Sequence, residues 1–300
     1  MKYRVAISAL AIAALSGFLH ASDAKRSSNP LTAAEIADRN FSARGGVKAW
    51  RAVQTLTESG RLTAGGDRRG SDPVTPDVKR GANMKSLATA PRLKAEAQLP
   101  FVLKMERPRK TRYEIHFNSK TAVQVYNGAQ GWKLRPFLNR LQVEPFTAEE
   151  LKAASLQSEL DGPLMNYAEK GTSIQLEGQE SVAGRNTYKL KLTSRDNHVT
   201  HVWIDAETFL ETKIEGQPRQ LDGKEHPVEI YFADYRDVSG LKLPFVLETH
   251  VLPISVAPGA KRVPQAYTPE KIFIDNVTVN PKLSSTDFEK PTVQMAEVHP

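Results

Sequence analysis

From Leu56 to Val279 the apolar residues recur mostly at every second position, the spacing of strands that bury one face. Thr55 to Ala64 alternates weakly. Alternation then marks Leu93 to Glu106, Arg112 to Asn118, Thr121 to Tyr126 and Gly131 to Phe137. After a helical interval it resumes in Ser173 to Glu177, Thr187 to Thr193, Val199 to Asp205 and Leu210 to Glu215. Val228 to Arg236, Leu241 to Val251 and Gln265 to Val279 complete the series. The links carry turn residues, among them Pro108, Asn118-Ser119-Lys120, Asn127-Gly128, Gly178 to Gly184, Gly216 to Gly223 and Val238-Ser239-Gly240. Roughly eleven or twelve strands joined by hairpin-length links predict one sequentially connected antiparallel sheet.

Helical spacing is confined to three places. Thr32-Ala33-Ala34-Glu35 reads as a capping box opening a helix whose stripe is Ile36, Ala37 and Phe41, stopped by Gly45-Gly46. Val47 to Val53 is a short second piece carrying Trp50, and Thr147-Ala148-Glu149-Glu150 repeats the capping logic ahead of Leu151, Ala154 and Leu160. Asp161-Gly162-Pro163 ends that helix, and Leu164 begins a further turn. A wide antiparallel sheet twists and curls. The expected fold is therefore mainly β with a few helices (α+β), a curved antiparallel sheet forming an unclosed half-barrel. Ile36, Phe41, Trp50, Leu151, Leu160 and Leu164 would be the lid residues over its concave side.

The ends of the chain follow other rules. Lys2 and Arg4 precede an apolar run from Val5 to Leu19, and Ser22-Asp23-Ala24 offers a small-residue cleavage site, so residues 1–24 are expected to be a secretory signal. The run is short for a membrane span, which needs roughly 20 residues. Residues 25–280 are expected to form one domain, with 65–91 as a flexible insertion rich in Gly, Pro, Asp, Arg and Lys, and 281–300 as a polar tail. The chain has no cysteine, which excludes disulfides, thiolate metal sites and a lipid anchored through a cysteine at the cleavage point. An exported, soluble, unanchored periplasmic protein is the resulting expectation.

Charge changes the picture little. The net charge of +7 is spread among acidic residues, and its densest cluster, Arg107, Arg109, Lys110 and Arg112, reads first as a solvated strand edge. Contact with lipid phosphates or an acidic partner is the functional alternative. No nucleic acid partner is expected of an exported chain.

Catalytic motifs are missing from the sequence. It contains no Gly-x-Ser-x-Gly elbow, phosphate-binding glycine loop, His-Glu-x-x-His or calcium loop. His198 and His201 are spaced so that a strand points them to opposite faces, which makes them a poor metal pair. No enzyme activity, cofactor or metal is expected. The apolar pattern says more. Phe101, Leu103 and Met105 share one face of their strand, and Tyr113, Ile115 and Phe117 share a face of the next. Trp132, Leu134, Tyr188, Leu190, Leu192, Val202, Ile204 and Phe245 add large side chains across the sheet. They are either an ordinary core or, in part, the wall of an unfilled cavity that would hold acyl chains by the hydrophobic effect.

Several segments carry a family likeness. "EIADRNFSARGGVKAW" (Glu35 to Trp50), "TAVQVYNGAQGWKLRPF" (Thr121 to Phe137), "LDGPLMNYAEKG" (Leu160 to Gly171) and "YKLKLT" (Tyr188 to Thr193) resemble the outer membrane lipoprotein-sorting proteins. "DYRDVSGLKLPF" (Asp234 to Phe245) and "IDNVTVN" (Ile274 to Asn280) extend the resemblance over most of residues 25–280. These proteins share the fold of the periplasmic lipoprotein carrier and its outer-membrane receptor. The resemblance implies a monomeric carrier for lipidated protein or lipid acyl chains, served by inner- or outer-membrane partner proteins. The same fold is similar to the sensing domain of a periplasmic anti-sigma regulator, so a sensor or assembly partner that binds protein is the alternative it implies. The 65–91 segment and the Asp-Gly-Pro-Leu motif depart from the characterised carriers.

Overall fold

A computed structural model describes residues 30–65, 96–136, 140–221, 223–254 and 267–292. The expected signal segment, most of the 65–91 insertion, Leu93, Phe137, the start of the last predicted strand and the end of the tail lie outside the described residues. Residues 1–31 and 32–300 separate as two units, and everything below concerns the second.

Both capping boxes form. Thr32 Oγ1 accepts from the Glu35 backbone N–H at 3.2 Å while Glu35 Oε2 accepts from the Thr32 N–H at 2.8 Å, opening α1 (Ala33–Ala43). Thr147 and Glu150 repeat this at the start of α3 (Ala148–Gln157), with α2 (Val47–Ala52) between them in the chain. Such boxes satisfy backbone donors that the first helical turn leaves without partners. α3 stops at Gln157, short of Leu160, which packs as buried loop.

Thirteen strands make one antiparallel sheet among the described residues. The first meander is β1 (Thr55–Gly65), β2 (Glu96–Glu106), β3 (Lys110–Phe117), β4 (Lys120–Tyr126), β5 (Gly131–Arg135) and β6 (Arg140–Pro145). The second is β7 (Ser173–Val182), β8 (Arg185–Thr193), β9 (Val199–Asp205), β10 (Glu211–Leu221), β11 (Lys224–Val238), β12 (Leu241–Val251) and β13 (Glu270–Val279). Every pair is sequential except β1 with β13, which joins the meanders, and the sheet stays open at β6 and β7. This is the unclosed antiparallel half-barrel that the alternation predicts.

Three details correct the sequence-based expectation. β6 is an additional strand: Leu141 and Val143 alternate with Arg, Gln and Glu, but the flanking prolines and 55% exposure of Leu141 give this edge the look of a loop. Gly178 is not a turn; β7 continues past it through a bulge to Val182. Gly216 likewise sits at a bulge in β10, which runs on to Leu221. Glycine punctuates a sequence equally for turns and bulges, and only pairing distinguishes them.

The interior is unevenly filled. Under α1, Leu190, Val202 and Ile204 are fully buried, Tyr188 stacks on Phe209 with ring centroids 6.1 Å apart, and Asn40 Nδ2 donates to the Phe209 carbonyl at 2.9 Å. These side chains pack as core. On the other half, every residue of β3 is only half-buried although the strand is central in its meander.

Candidate functional site

Register identifies the face that encloses the space beside β3. Leu56, Glu58, Gly60 and Leu62 of β1 lie opposite Met105, Leu103, Phe101 and Leu99 of β2, and β2 in turn pairs Leu103 with Tyr113 and Phe101 with Ile115. β13 brings Ile272 opposite Leu62 and Val277 opposite Glu58. Since side chains alternate across a strand, all of these share one face. A cavity of about 540 Å³ opens there, bounded by Leu62, Leu103, Met105, Tyr113, Ile115 and Ile272 and by the polar Gln124, Arg219, Glu270 and Lys271, with Phe146 and the α3 residues Ala154 and Gln157 over it. This falls within the ~300–1,000 Å³ of small-ligand sites.

The cavity survives because little plugs it. α3 has no buried residue, so this helix is laid across the space and not packed into it. It is fastened by charge: Lys133 Nζ on β5 donates to the two carboxylate oxygens of Glu150 at 2.5 and 2.6 Å. Burial raises the Glu150 carboxyl, but the bonds from Lys133 and the Thr147 backbone outweigh it and hold the group below its ordinary value. Across the cavity, Arg219 of β10 forms a bidentate pair with Glu270 of β13, both bonds 2.8 Å, and the bonded carboxylate raises the guanidinium pKa. Gly60 is required beside β13: a Cβ there would overlap the Phe273 carbonyl oxygen, and its absence lets the Phe101 ring lie close below, 5.7 Å from the Tyr113 ring.

The sequence-predicted residues divide into groups. Leu103, Met105, Tyr113 and Ile115 line the cavity, and Phe101 is packed behind Tyr113. Phe117 shares the β3 face but lies beyond the lining. Tyr188, Leu190, Val202, Ile204 and Phe245 belong to the inner face but not to the cavity lining, and the fully buried Leu190, Val202 and Ile204 are core. Trp132 and Leu134 are a correction. They pair with Val125 and Val123 on the opposite face, beneath Phe288 of the 3-10 turn Ser285–Phe288, because the intervening Lys133 is the residue that points inward. Of the lid residues, Ile36, Phe41, Trp50, Leu160 and Leu164 are buried, whereas Leu151 is half-buried on α3.

One inward residue was not anticipated. Glu58 interrupts the apolar face of β1, makes no hydrogen bond or ion pair to a described residue, and has its pKa pushed up to about 7 by burial. Tyr113 is likewise raised, first by burial and then by the charges of Glu270 and Glu58. The signal was present as the weakness of alternation in Thr55 to Ala64.

An ionic cluster sits away from this cavity. Arg107 makes a bidentate pair with Asp161 and donates to the Val53 and Trp50 carbonyls, while Arg44 donates to the Asp161 carbonyl at 3.0 Å and pairs with Glu211 at 3.3 Å. The basic run is thus not simply a solvated edge. Arg107 ties three segments together, Arg109 reaches Glu159 at 3.3 Å, and Lys110 and Arg112 pair with Glu106 and Glu114 at 2.5 Å each. His201 is held by Glu177 and Glu215, and among the described residues no group of three or more His, Asp or Glu side chains is placed to hold a metal ion. No described helix is long and apolar enough to cross a membrane.

Known proteins echo this architecture. A LolA superfamily protein from Nitrosomonas europaea superposes over 87% of this chain and 99% of its own, with TM-score 0.51 and 13% identity. An outer membrane lipoprotein-sorting protein domain from Vibrio parahaemolyticus covers 86% and 96%, with TM-score 0.50 and 12% identity. A DUF1329 family protein from Desulfovibrio piger covers 87% and 99% at TM-score 0.51 and 12% identity. No protein-family model matches the sequence, and no curated protein does. The fold is that of the LolA superfamily and lipoprotein-sorting proteins, in agreement with the likeness carried by the sequence segments.

Proposed function

We propose that the protein is a non-enzymatic periplasmic binding protein for lipids or lipidated proteins, holding acyl chain in the cavity beneath α3. The carrying observation is the cavity between β1–β4, β13 and α3, beside a part of the sheet where Leu190, Val202 and Ile204 are fully buried. Along its apolar wall of Leu62, Leu103, Met105, Ile115 and Ile272, the cavity gains roughly 0.8 kcal/mol for each methylene it takes from water. The lipoprotein-sorting fold supports the same reading. The protein is read as a diffusible monomer that acts with membrane partners.

The test is binding of a neutral apolar dye, N-phenyl-1-naphthylamine, to the purified protein, with displacement by alkyl compounds of increasing length. Affinity is expected to rise about 4-fold per methylene until the cavity is full. Ile115→Trp, which fills the cavity from its wall, is expected to abolish binding with the fold retained by circular dichroism. Failure of the dye to bind the wild type, or unchanged binding by Ile115→Trp, overturns the proposal.

A further inference from the structure

The two ends of the cavity are built differently. At one end Met105 of β2 faces Thr111 of β3, which faces Tyr126 of β4, and Phe146, Ala154 and Gln157 lie over them. At the other, Leu62 of β1 faces Ile272 of β13, and Thr249 of β12 faces Glu270. Leu56, which faces Met105, is six residues from Leu62 along β1, so the ends lie about 20 Å apart.

The second end is crossed by the Arg219–Glu270 pair. β10 and β13 are not neighbours: β11 and β12 lie between them, which on a flat sheet would set them roughly 14 Å apart. Ion pairs such as Lys213 with Glu229, or Lys271 with Glu248, join adjacent strands. Arg219 and Glu270 instead meet at 2.8 Å across the concave face, and both line the cavity. Two parallel bonds fix the planar guanidinium against the carboxylate. An alkyl chain that pushed between them would offer neither charge a partner.

We propose that the Arg219–Glu270 pair is the end stop of the cavity and sets the longest acyl chain it accepts. This rests on the lipid-binding reading above and adds chain-length selectivity. A chain that fills the cavity up to the pair buries all of its methylenes. A longer one either leaves methylenes in water or parts the two bonds and strands the charges. A tie between separate strands also stabilises the sheet, so the diagnostic readout is the length limit and not stability.

The experiment displaces N-phenyl-1-naphthylamine from the full-length protein with 1-monoacylglycerols of increasing chain length, each below its aggregation limit. Their uncharged head keeps head-group attraction to the pair out of the comparison. Wild-type affinity is expected to rise with each methylene and then level off at a limiting length. The double variant Arg219→Ala/Glu270→Ala removes both charges together and strands neither. It should bind the short chains as the wild type does and go on gaining for at least two further methylenes, at least tenfold for the longest chains. Thr249→Phe leaves the pair in place and adds bulk at the same end, so its limit should fall to shorter chains. That variant carries the test if the double variant does not fold. A wild type without a limiting length, or a limit unmoved in either folded variant, overturns the end stop and leaves the acyl cavity standing. Failure of the dye itself to bind the wild type overturns both readings.

Discussion

Glu58 shows what one polar residue on an apolar face does to a strand and to the stability of the molecule. Its carboxyl titrates near 4.5 in the unfolded chain and at about 7 when folded, so the folded state holds its proton to higher pH. The folded state is therefore unpenalised below about pH 4.5, loses stability as pH rises toward 7, and carries the full penalty above it. The shift corresponds to roughly 3 kcal/mol, and about 2 kcal/mol is expected because the half-buried side chain keeps some access to water. Urea denaturation at pH 5 and pH 8 should show Glu58→Gln gaining on the wild type by about that amount at the higher pH. An equal pH dependence in the two proteins would contradict the burial of this group. In the sequence, Glu58 reads only as a flaw in alternation, because a glutamate on a strand is ordinarily an outward residue.

At the scale of elements, local signals were the most legible. Thr32 with Glu35 and Thr147 with Glu150 announced two helices, since a capping box closes within four residues and needs no partner from elsewhere. Gly45, which stops the first helix, has a tertiary reason as well. It sits at φ +110°, and a Cβ there would overlap the Gly240 carbonyl in the β11–β12 turn. The same junction is held by the Lys242 N–H donating to the Arg44 carbonyl at 3.1 Å. Gly45→Ala is expected to cost about 2 kcal/mol or more, whereas Gly184→Ala, at φ +79° in open space, should cost about 1 kcal/mol, both by chemical denaturation. Equal costs would mean that the helix and the hairpin are not in contact there. Trp132 and Leu134 mark the limit of strand-level reading: alternation says that they share a face, and not which one. The Phe288 ring packs against their face, so Phe288→Ala is expected to lose about 3 kcal/mol while dye binding in the cavity is retained.

Across the whole molecule, the two meanders are held by contacts between residues far apart in the chain. β1 pairs with β13 over more than two hundred residues, and Arg107 binds Asp161 while Arg44 reaches Glu211. Removing one partner of a mostly buried ion pair strands the other charge, so Asp161→Ala is expected to lower stability by about 3 kcal/mol and to raise hydrogen exchange in residues 158–171. Unchanged exchange there would show that the pair is not what fastens the segment. The sequence by itself determined the strands, the hairpin order and the capped helices, because each depends on residues within a few positions of one another, and its motifs carried the likeness to the lipoprotein-sorting fold. It left open whether the large side chains fill the half-barrel or line it. Leu190 and Leu103 have the same chemistry and the same alternation, yet one is fully buried beneath α1 and the other faces a cavity beneath α3. Only the tertiary structure decided between them, because a void is set by how closely a covering helix approaches the sheet, and that distance is the joint result of packing from many separate segments.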